Sequence, residues 1–253
     1  MTRRIGIFAY GVVSYAIFFA TFLYAIGWVG NFGVPRTIDG PLEGSLTAAI
    51  LINLGLLGLF AVQHSVMARP AFKRWWTRII PEPAERSTYV LASSAALLLL
   101  FWQWQPMGGV VWNLENPTAR MVAYGVYGLG WATILFCTFL INHFDLFGLR
   151  QVWLALLDRP YTPLRFTMPS LYRVVRHPLY VGWLLAFWAT PTMTATHLLF
   201  AVATTGYILI AIQLEERDLV DAHPEYATYR RQVPMLVPSL PRRETTAPAP
   251  RTA

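Results

Sequence analysis

The residues able to do chemistry gather into a few short stretches. In RVVRHPLYVGW, residues 173–183, Arg173, Arg176 and His177 stand directly before Pro178, with Tyr180 and Gly182 just after it. Proline suits the first turn of a helix, where its missing N–H costs nothing, so a helix is expected to begin here with its free N–H groups facing an incoming ligand. Such an end attracts carboxylates. Arg173 or Arg176 would strengthen that attraction, Tyr180 offers a ring for stacking, and Gly182 lets a bulky ligand or a neighbouring helix come close. The plainer reading makes the arginines membrane-surface anchors and His177 a helix cap.

A second stretch, LEERDLVDAHPEYATYRRQVPMLVP, covers residues 214–238. Glu215 and Glu216 stand at the end of an apolar run, and carboxylates at a helix C-terminus oppose the macrodipole, so they call for a cation. Arg173 or Arg176 is one source and a ligand ammonium is another. Tyr226 and Tyr229, three apart, share a face. Two smaller groups complete the set: Gln63 and His64, and Asn142, His143 and Asp145. Polar groups beside membrane helices are costly, which gives all of these a functional weight.

The elements that position them are membrane spans. Of 253 residues, 55% are hydrophobic and only 13% charged, far below the roughly 25% charged of a soluble domain. Crossing about 30 Å of hydrocarbon takes about 20 apolar residues, and Ile5–Trp28, Leu46–Met67, Thr88–Gln105 and Met121–Asn142 meet or approach that length. The first is too long for a secretory h-region of about 7–15 residues. The uncharged run Pro178–Leu214 has 37 residues, which as one helix would measure about 55 Å. It must break, and TPTMTATH at 190–197 is the place, giving a helix-turn-helix hairpin with arms of about 13 and 20 residues. The expected fold is therefore all-α: a polytopic membrane bundle of five to six helices, the fifth short, forming one domain over 1–238 with a disordered tail at 239–253.

Charge fixes the orientation. The net charge of +7 marks cytoplasmic loops in so apolar a chain, not a nucleic-acid surface. With both termini in the cytoplasm, 18 of 20 basic residues lie on the inner side, leaving only Arg36 and Arg120 outside. The hairpin is what returns Arg217, Arg230 and Arg231 to that side, and with them every chemically suggestive stretch. The single Cys137 excludes an internal disulfide and a cysteine metal cluster and is read as helix packing. Gly125–Gly130 has no strand before it and is read as helix packing as well.

RHPLYVG followed by EER and then EYATYRRQVPMLVP resembles the C-terminal signature of the isoprenylcysteine carboxyl methyltransferase and phospholipid methyltransferase superfamily, over residues 170–238. QHSVMAR at 63–69 and INHFDLFGLRQVW at 141–153 extend the likeness to the bacterial methanethiol S-methyltransferases, relatives of nitric-oxide-reduction-associated membrane proteins. The resemblance implies S-adenosylmethionine as methyl donor, a small thiol acceptor, no metal, and a bacterial-type inner membrane with the site facing the cytoplasm. On that basis Arg176, His177, Pro178, Tyr180, Gly182, Glu215 and Glu216 form the cofactor site. Arg176, His177 and the helix start suit the methionine carboxylate, and Glu215 or Glu216 suits the ammonium. A thiol with a pKa of about 8.5 or higher is mostly protonated at neutral pH, so a base should help. His143 is the candidate base and Asp145 its orienter, with Arg173 or Arg150 stabilising the thiolate.

Three alternatives stand beside this. A lipid or prenylcysteine acceptor would need a lateral opening between helices. His64, His143 and His177 at one membrane face would suit a metal or haem in a redox protein, although they lack a clustered spacing. A transporter or scaffold is disfavoured because no charge lies mid-span.

Overall fold

A computed structural model describes residues 1–164 and 167–238. The proposed disordered tail lies outside the described residues. The helices are α1 (Thr2–Gly30), α2 (Leu46–Ala68), α3 (Pro70–Trp76), α4 (Glu85–Gln103), α5 (Pro117–Ile141), α6 (His143–Leu146), α7 (Leu149–Leu156), α8 (Pro178–Trp188), α9 (Ala195–Ala222) and α10 (Tyr226–Gln232), with two short strands, β1 (Val110–Asn113) and β2 (Thr192–Thr194). α1, α2, α5 and α9 are long and apolar enough to cross a membrane, and the chain is an integral membrane protein. Local sequence starts these helices where capping chemistry allows. Ser45 accepts from the Ala48 N–H, Asn116 accepts from Thr118 and Ala119 with Pro117 in the first turn, and Thr194 accepts from His197.

α4 has 19 residues, about 28 Å of helix, and turns Ser87, Tyr89, Ser93 and Ser94 inward. α8 has only 11 residues and at about 16 Å cannot cross. The expected hairpin is present: β2 separates α8 from α9 and pairs antiparallel with β1, Thr194 opposite Val110 and Thr192 opposite Asn113. Its second arm is longer than expected, because α9 does not stop at Glu215 but runs on to Ala222.

α8 is seated on α5 by two glycines. A Cβ on Gly130 would lie 2.6 Å from Ala186 N and 2.8 Å from Gly182 O, and one on Gly182 would lie 2.9 Å from Gly130 O. The backbones touch, as small residues permit between membrane helices. Gly125 and Gly128, in the same expected cluster, meet nothing within 4 Å. The core beside this contact is aromatic, with Trp28 against Phe101 at 4.9 Å and Phe187 against Phe200 at 4.8 Å. At the far end from the charged stretches, Asn53 clamps the Gln105 backbone through both its amide atoms, and Thr196 accepts from the Met107 N–H. These bonds satisfy the Gln105 and Met107 backbone groups where the chain leaves the helices at that end.

Candidate active site

Glu216 is the centre of a buried knot. Its carboxylate accepts from Arg176 Nε at 2.7 Å, His177 Nε2 at 3.0 Å and the Tyr226 hydroxyl at 3.4 Å. The Arg176 and Glu216 side chains are 11% and 5% exposed, so neither charge could stay there without the other. The same guanidinium donates to the Arg230 and Val233 carbonyls, and the Arg176 and His177 N–H groups donate to Pro234 and Met235. The Tyr229 hydroxyl donates to the Tyr172 carbonyl at 2.5 Å, and burial pushes the Tyr229 phenol up to about 12. The 226–235 segment is thereby tied over the start of α8.

Glu215 has a different environment. It accepts from the Tyr180 hydroxyl at 2.9 Å, and among the described residues no cation lies within ion-pair distance of it. Tyr180 stands in the first turn of α8, where the Leu179 and Tyr180 N–H groups have no intrahelical acceptor. Tyr89 and Tyr207 lie within electrostatic reach of Tyr180, and Tyr89 within reach of Glu215, Arg69 and Arg86.

Those neighbours carry the group that the sequence left outside the site. His64 lies within 2.8 Å of the Tyr89 hydroxyl at Nε2 and 3.2 Å from Ser93 Oγ at Nδ1, with Phe60 stacked on its ring. The Ser65 and Tyr207 hydroxyls meet at 3.2 Å, and Arg69 pairs with Asp218 at 2.8 Å, tying α2 to α9. Lys73 on α3 stands at the rim, where burial and the nearby Arg86 guanidinium hold its ammonium below the usual lysine range. His64 was visible in the sequence as a polar residue at a helix end. Tyr89 and Tyr207 were not, since tyrosines are common at membrane interfaces and only the packing of α4 and α9 aims them together.

The structure brings Arg176, His177, Pro178, Tyr180, Glu215 and Glu216 to one end of α8 and α9. It turns Gly182 toward α5, where Gly130 fills the space beside it. His143 stands elsewhere, between α1 and α5. Its Nε2 meets the Tyr15 hydroxyl at 2.8 Å and its Nδ1 meets Thr138 at 2.8 Å, inside a shell of Phe139, Phe144 and Phe147. Burial holds its pKa below the usual histidine value. Asp145 does not orient it. That carboxylate pairs with Arg150 at 2.7 Å and accepts from the Tyr161 hydroxyl at 3.3 Å. Arg173 is exposed and donates to the Met168 carbonyl. Among the described residues no cluster of His, Cys, Asp or Glu is arranged to hold a metal ion.

Spanning helices that converge at one end on a carboxylate with no cation partner among the described residues, beside a sealed ion pair, define a membrane-embedded helical protein with a polar site at its helix ends. Over 236 residues the chain is 58% identical to the methanethiol S-methyltransferase of Crocosphaera subtropica, covering 93% of this chain and 92% of that one. It is 56% identical over 230 residues to the methanethiol S-methyltransferase of Mycobacterium tuberculosis, covering 90% and 94%. The chain belongs to the methanethiol S-methyltransferase family. Mouse nurim is 31% identical over 226 residues, covering 84% and 86%. No family model matches the chain, and no solved structure matches it.

Proposed function

We propose that this protein methylates methanethiol with S-adenosylmethionine, releasing dimethyl sulfide and S-adenosylhomocysteine. The observation that carries this reading is Glu215, a half-buried carboxylate held by Tyr180 and left without a cation among the described residues. A buried charge calls for a partner, and the ammonium of the methionine moiety is of the right sign and size. The donor supplies a methyl group on a sulfonium sulfur. The open N–H groups of Leu179 and Tyr180 at the start of α8, with Lys73 and Arg69 at the rim, suit its carboxylate. Tyr180 offers a face for the adenine, with Tyr89 and Tyr207 beside it as a wall against water. Arg176, His177 and Glu216 serve by holding residues 226–235 over this end, and Gly182 serves by seating α8 on α5. Alignment of acceptor sulfur, methyl and leaving sulfur then accounts for much of the rate.

The basic residues 69–86, 150–176 and 217–231 flank the same helix ends, which supports a site facing the cytoplasm with both termini on that side. Residues 1–238 are read as one membrane-embedded domain. One observation favours a second acceptor class: an apolar groove lined by Val126, Val181, Leu185 and Leu236 opens sideways along α5 and α8, as a lipid-linked acceptor would require. Purified protein given S-adenosylmethionine and either methanethiol or a prenylcysteine decides between them by gas chromatography and by methyl-label transfer. Dimethyl sulfide is the expected product. Label on the prenylcysteine with no dimethyl sulfide would overturn the proposal.

A further inference from the structure

Transfer of a methyl group to a thiol releases a proton, and the proposed reading so far gives that proton no destination. His143, the sequence candidate, sits within a phenylalanine shell, and its hydroxyl partners are Tyr15 on α1 and Thr138 on α5 rather than residues around Glu215. Of the remaining histidines at this end, His177 is bound to Glu216 and His64 is the better placed. His64 stands in the last turns of α2 against α4, and its nearest hydroxyl belongs to Tyr89, which lies within electrostatic reach of Glu215.

We propose that His64 is the base of the reaction and that the Tyr89 hydroxyl relays the thiol proton to it. In this step the S–H bond of methanethiol breaks and its proton passes to Tyr89 Oη, while the Tyr89 proton passes to His64 Nε2. The sulfur lone pair forms the new S–CH3 bond, and the old bond from methyl to sulfonium breaks with its electron pair left on a neutral thioether. The pocket holds one positive charge before the step, on the sulfonium, and one after it, on the imidazolium. Positive charge is moved rather than created, so the Arg86 guanidinium close to both groups does not forbid the step. Its position is also fixed: it sits over the Tyr89 ring at 5.1 Å and donates through Nε to the Leu146 carbonyl at 2.7 Å.

The Tyr89 hydroxyl lies 2.8 Å from Nε2 and 3.1 Å from Nδ1; the tautomer needed is Nδ1–H, donating to Ser93 Oγ at 3.2 Å, which leaves Nε2 to accept from Tyr89. Phe60 stacked on the imidazole at 5.1 Å keeps the ring in that plane. The acceptor chemistry follows from the walls. The rings around His64 are those of Phe60 and Tyr89, each at 5.1 Å, with Tyr207 edge-on to Phe60 at 6.4 Å, an aromatic setting that suits an uncharged short-chain thiol better than a charged one. Arg86 on α4 is the charged group that acts on His64 directly; its partner Tyr89 is faced by Arg86, by Tyr207 and Glu215 on α9 and by Arg69 at the end of α2, and Tyr180 on α8 stands near Tyr89 in turn.

This inference rests on the proposed methyl transfer, and the test separates the two. Wild type, His64→Gln and Tyr89→Phe are compared for dimethyl sulfide formation between pH 6 and 10, and for S-adenosylhomocysteine binding by calorimetry. The expected result is a fall in kcat/KM of about 100-fold at neutral pH in His64→Gln, the scale of losing a general base. The deficit should shrink as rising pH ionises the thiol in solution, with S-adenosylhomocysteine affinity unchanged within about twofold. Tyr89→Phe keeps the ring and its packing, and should show the same narrowing deficit should His64→Gln not fold. Variants that keep wild-type rates, or that lose activity equally at every pH, overturn the proton role. Wild type that neither forms dimethyl sulfide nor binds S-adenosylhomocysteine overturns the underlying methyl transfer instead.

Discussion

Substituting the two adjacent glutamates one at a time should produce opposite phenotypes, because the fold gives them opposite surroundings. In Glu216→Ala, Arg176 and His177 lose the only carboxylate among their described partners, and Tyr226 loses one acceptor. Removing one member of a buried ion pair costs about 3–5 kcal/mol. Arg176 keeps two carbonyl partners at 2.9 and 2.6 Å, so the lower end of that range applies, about 3 kcal/mol or roughly a hundredfold in a local opening equilibrium. The cost falls on residues 226–235, whose attachment runs through Arg176 and His177. In Glu215→Ala one hydrogen bond from Tyr180 is lost, worth about 1 kcal/mol, and no ion pair among the described residues is broken. Hydrogen–deuterium exchange in detergent is therefore expected to show peptides over 226–235 losing protection by about two decades in Glu216→Ala and little in Glu215→Ala. Calorimetric binding of S-adenosylhomocysteine should show the larger direct loss in Glu215→Ala, at least about tenfold for a charge-assisted hydrogen bond worth about 1.5–3 kcal/mol. If Glu216→Ala retains full protection over 226–235, or if Glu215→Ala binds as wild type does, the division of labour between the two carboxylates is wrong.

Further outcomes follow from other parts of the fold. Gly182→Val should lower the melting temperature in detergent by an amount matching about 1–3 kcal/mol of overpacking, since even the first added carbon meets Gly130 O at 2.9 Å; Gly125→Val, with open space around it, should melt within about 0.5 kcal/mol of wild type. Arg173→Ala should keep kcat/KM within about twofold, because that side chain is exposed and bonds only a neighbouring carbonyl among the described residues. Burial lowers the folded pKa of His143 below its unfolded value of about 6.5. The unfolded chain then binds more protons between the two values, so stability is full above about pH 6.5 and falls as pH drops from there through the folded value. Melting curves at pH 7.5 and 5.5 should show a larger acid loss in wild type than in His143→Asn, which has nothing to titrate at that position.

Much of the architecture was legible because membrane burial imposes a length. The break within Pro178–Leu214 followed from a run too long for one span, and β2 lies where Pro191 and the threonines stand. The extent of α9 was not legible. Glu215 and Glu216 read as the place where the chain leaves the membrane, at a helix C-terminus, whereas Arg176 pairs with the second carboxylate and the helix continues to Ala222. Gly182 shows the same limit. Its small size signalled close approach, and only the packing of α5 shows that a helix backbone occupies that side.

The sequence by itself determined that this is a helical membrane protein with its ionisable groups gathered at one set of helix ends, because hydrophobic length and charge placement are properties of the chain alone. It also placed RHPLYVG and EER at the same membrane face. Tertiary structure alone decided which polar groups satisfy one another. Glu216 is closed by Arg176 and His177 while Glu215 goes to Tyr180, His143 is enclosed by phenylalanines, Asp145 goes to Arg150, and His64 meets a tyrosine 25 residues away on the next long helix. Those outcomes depend on how each helix is rotated about its axis. Rotation is set by packing between helices, at contacts such as Gly130 on Gly182, and no single span carries that information.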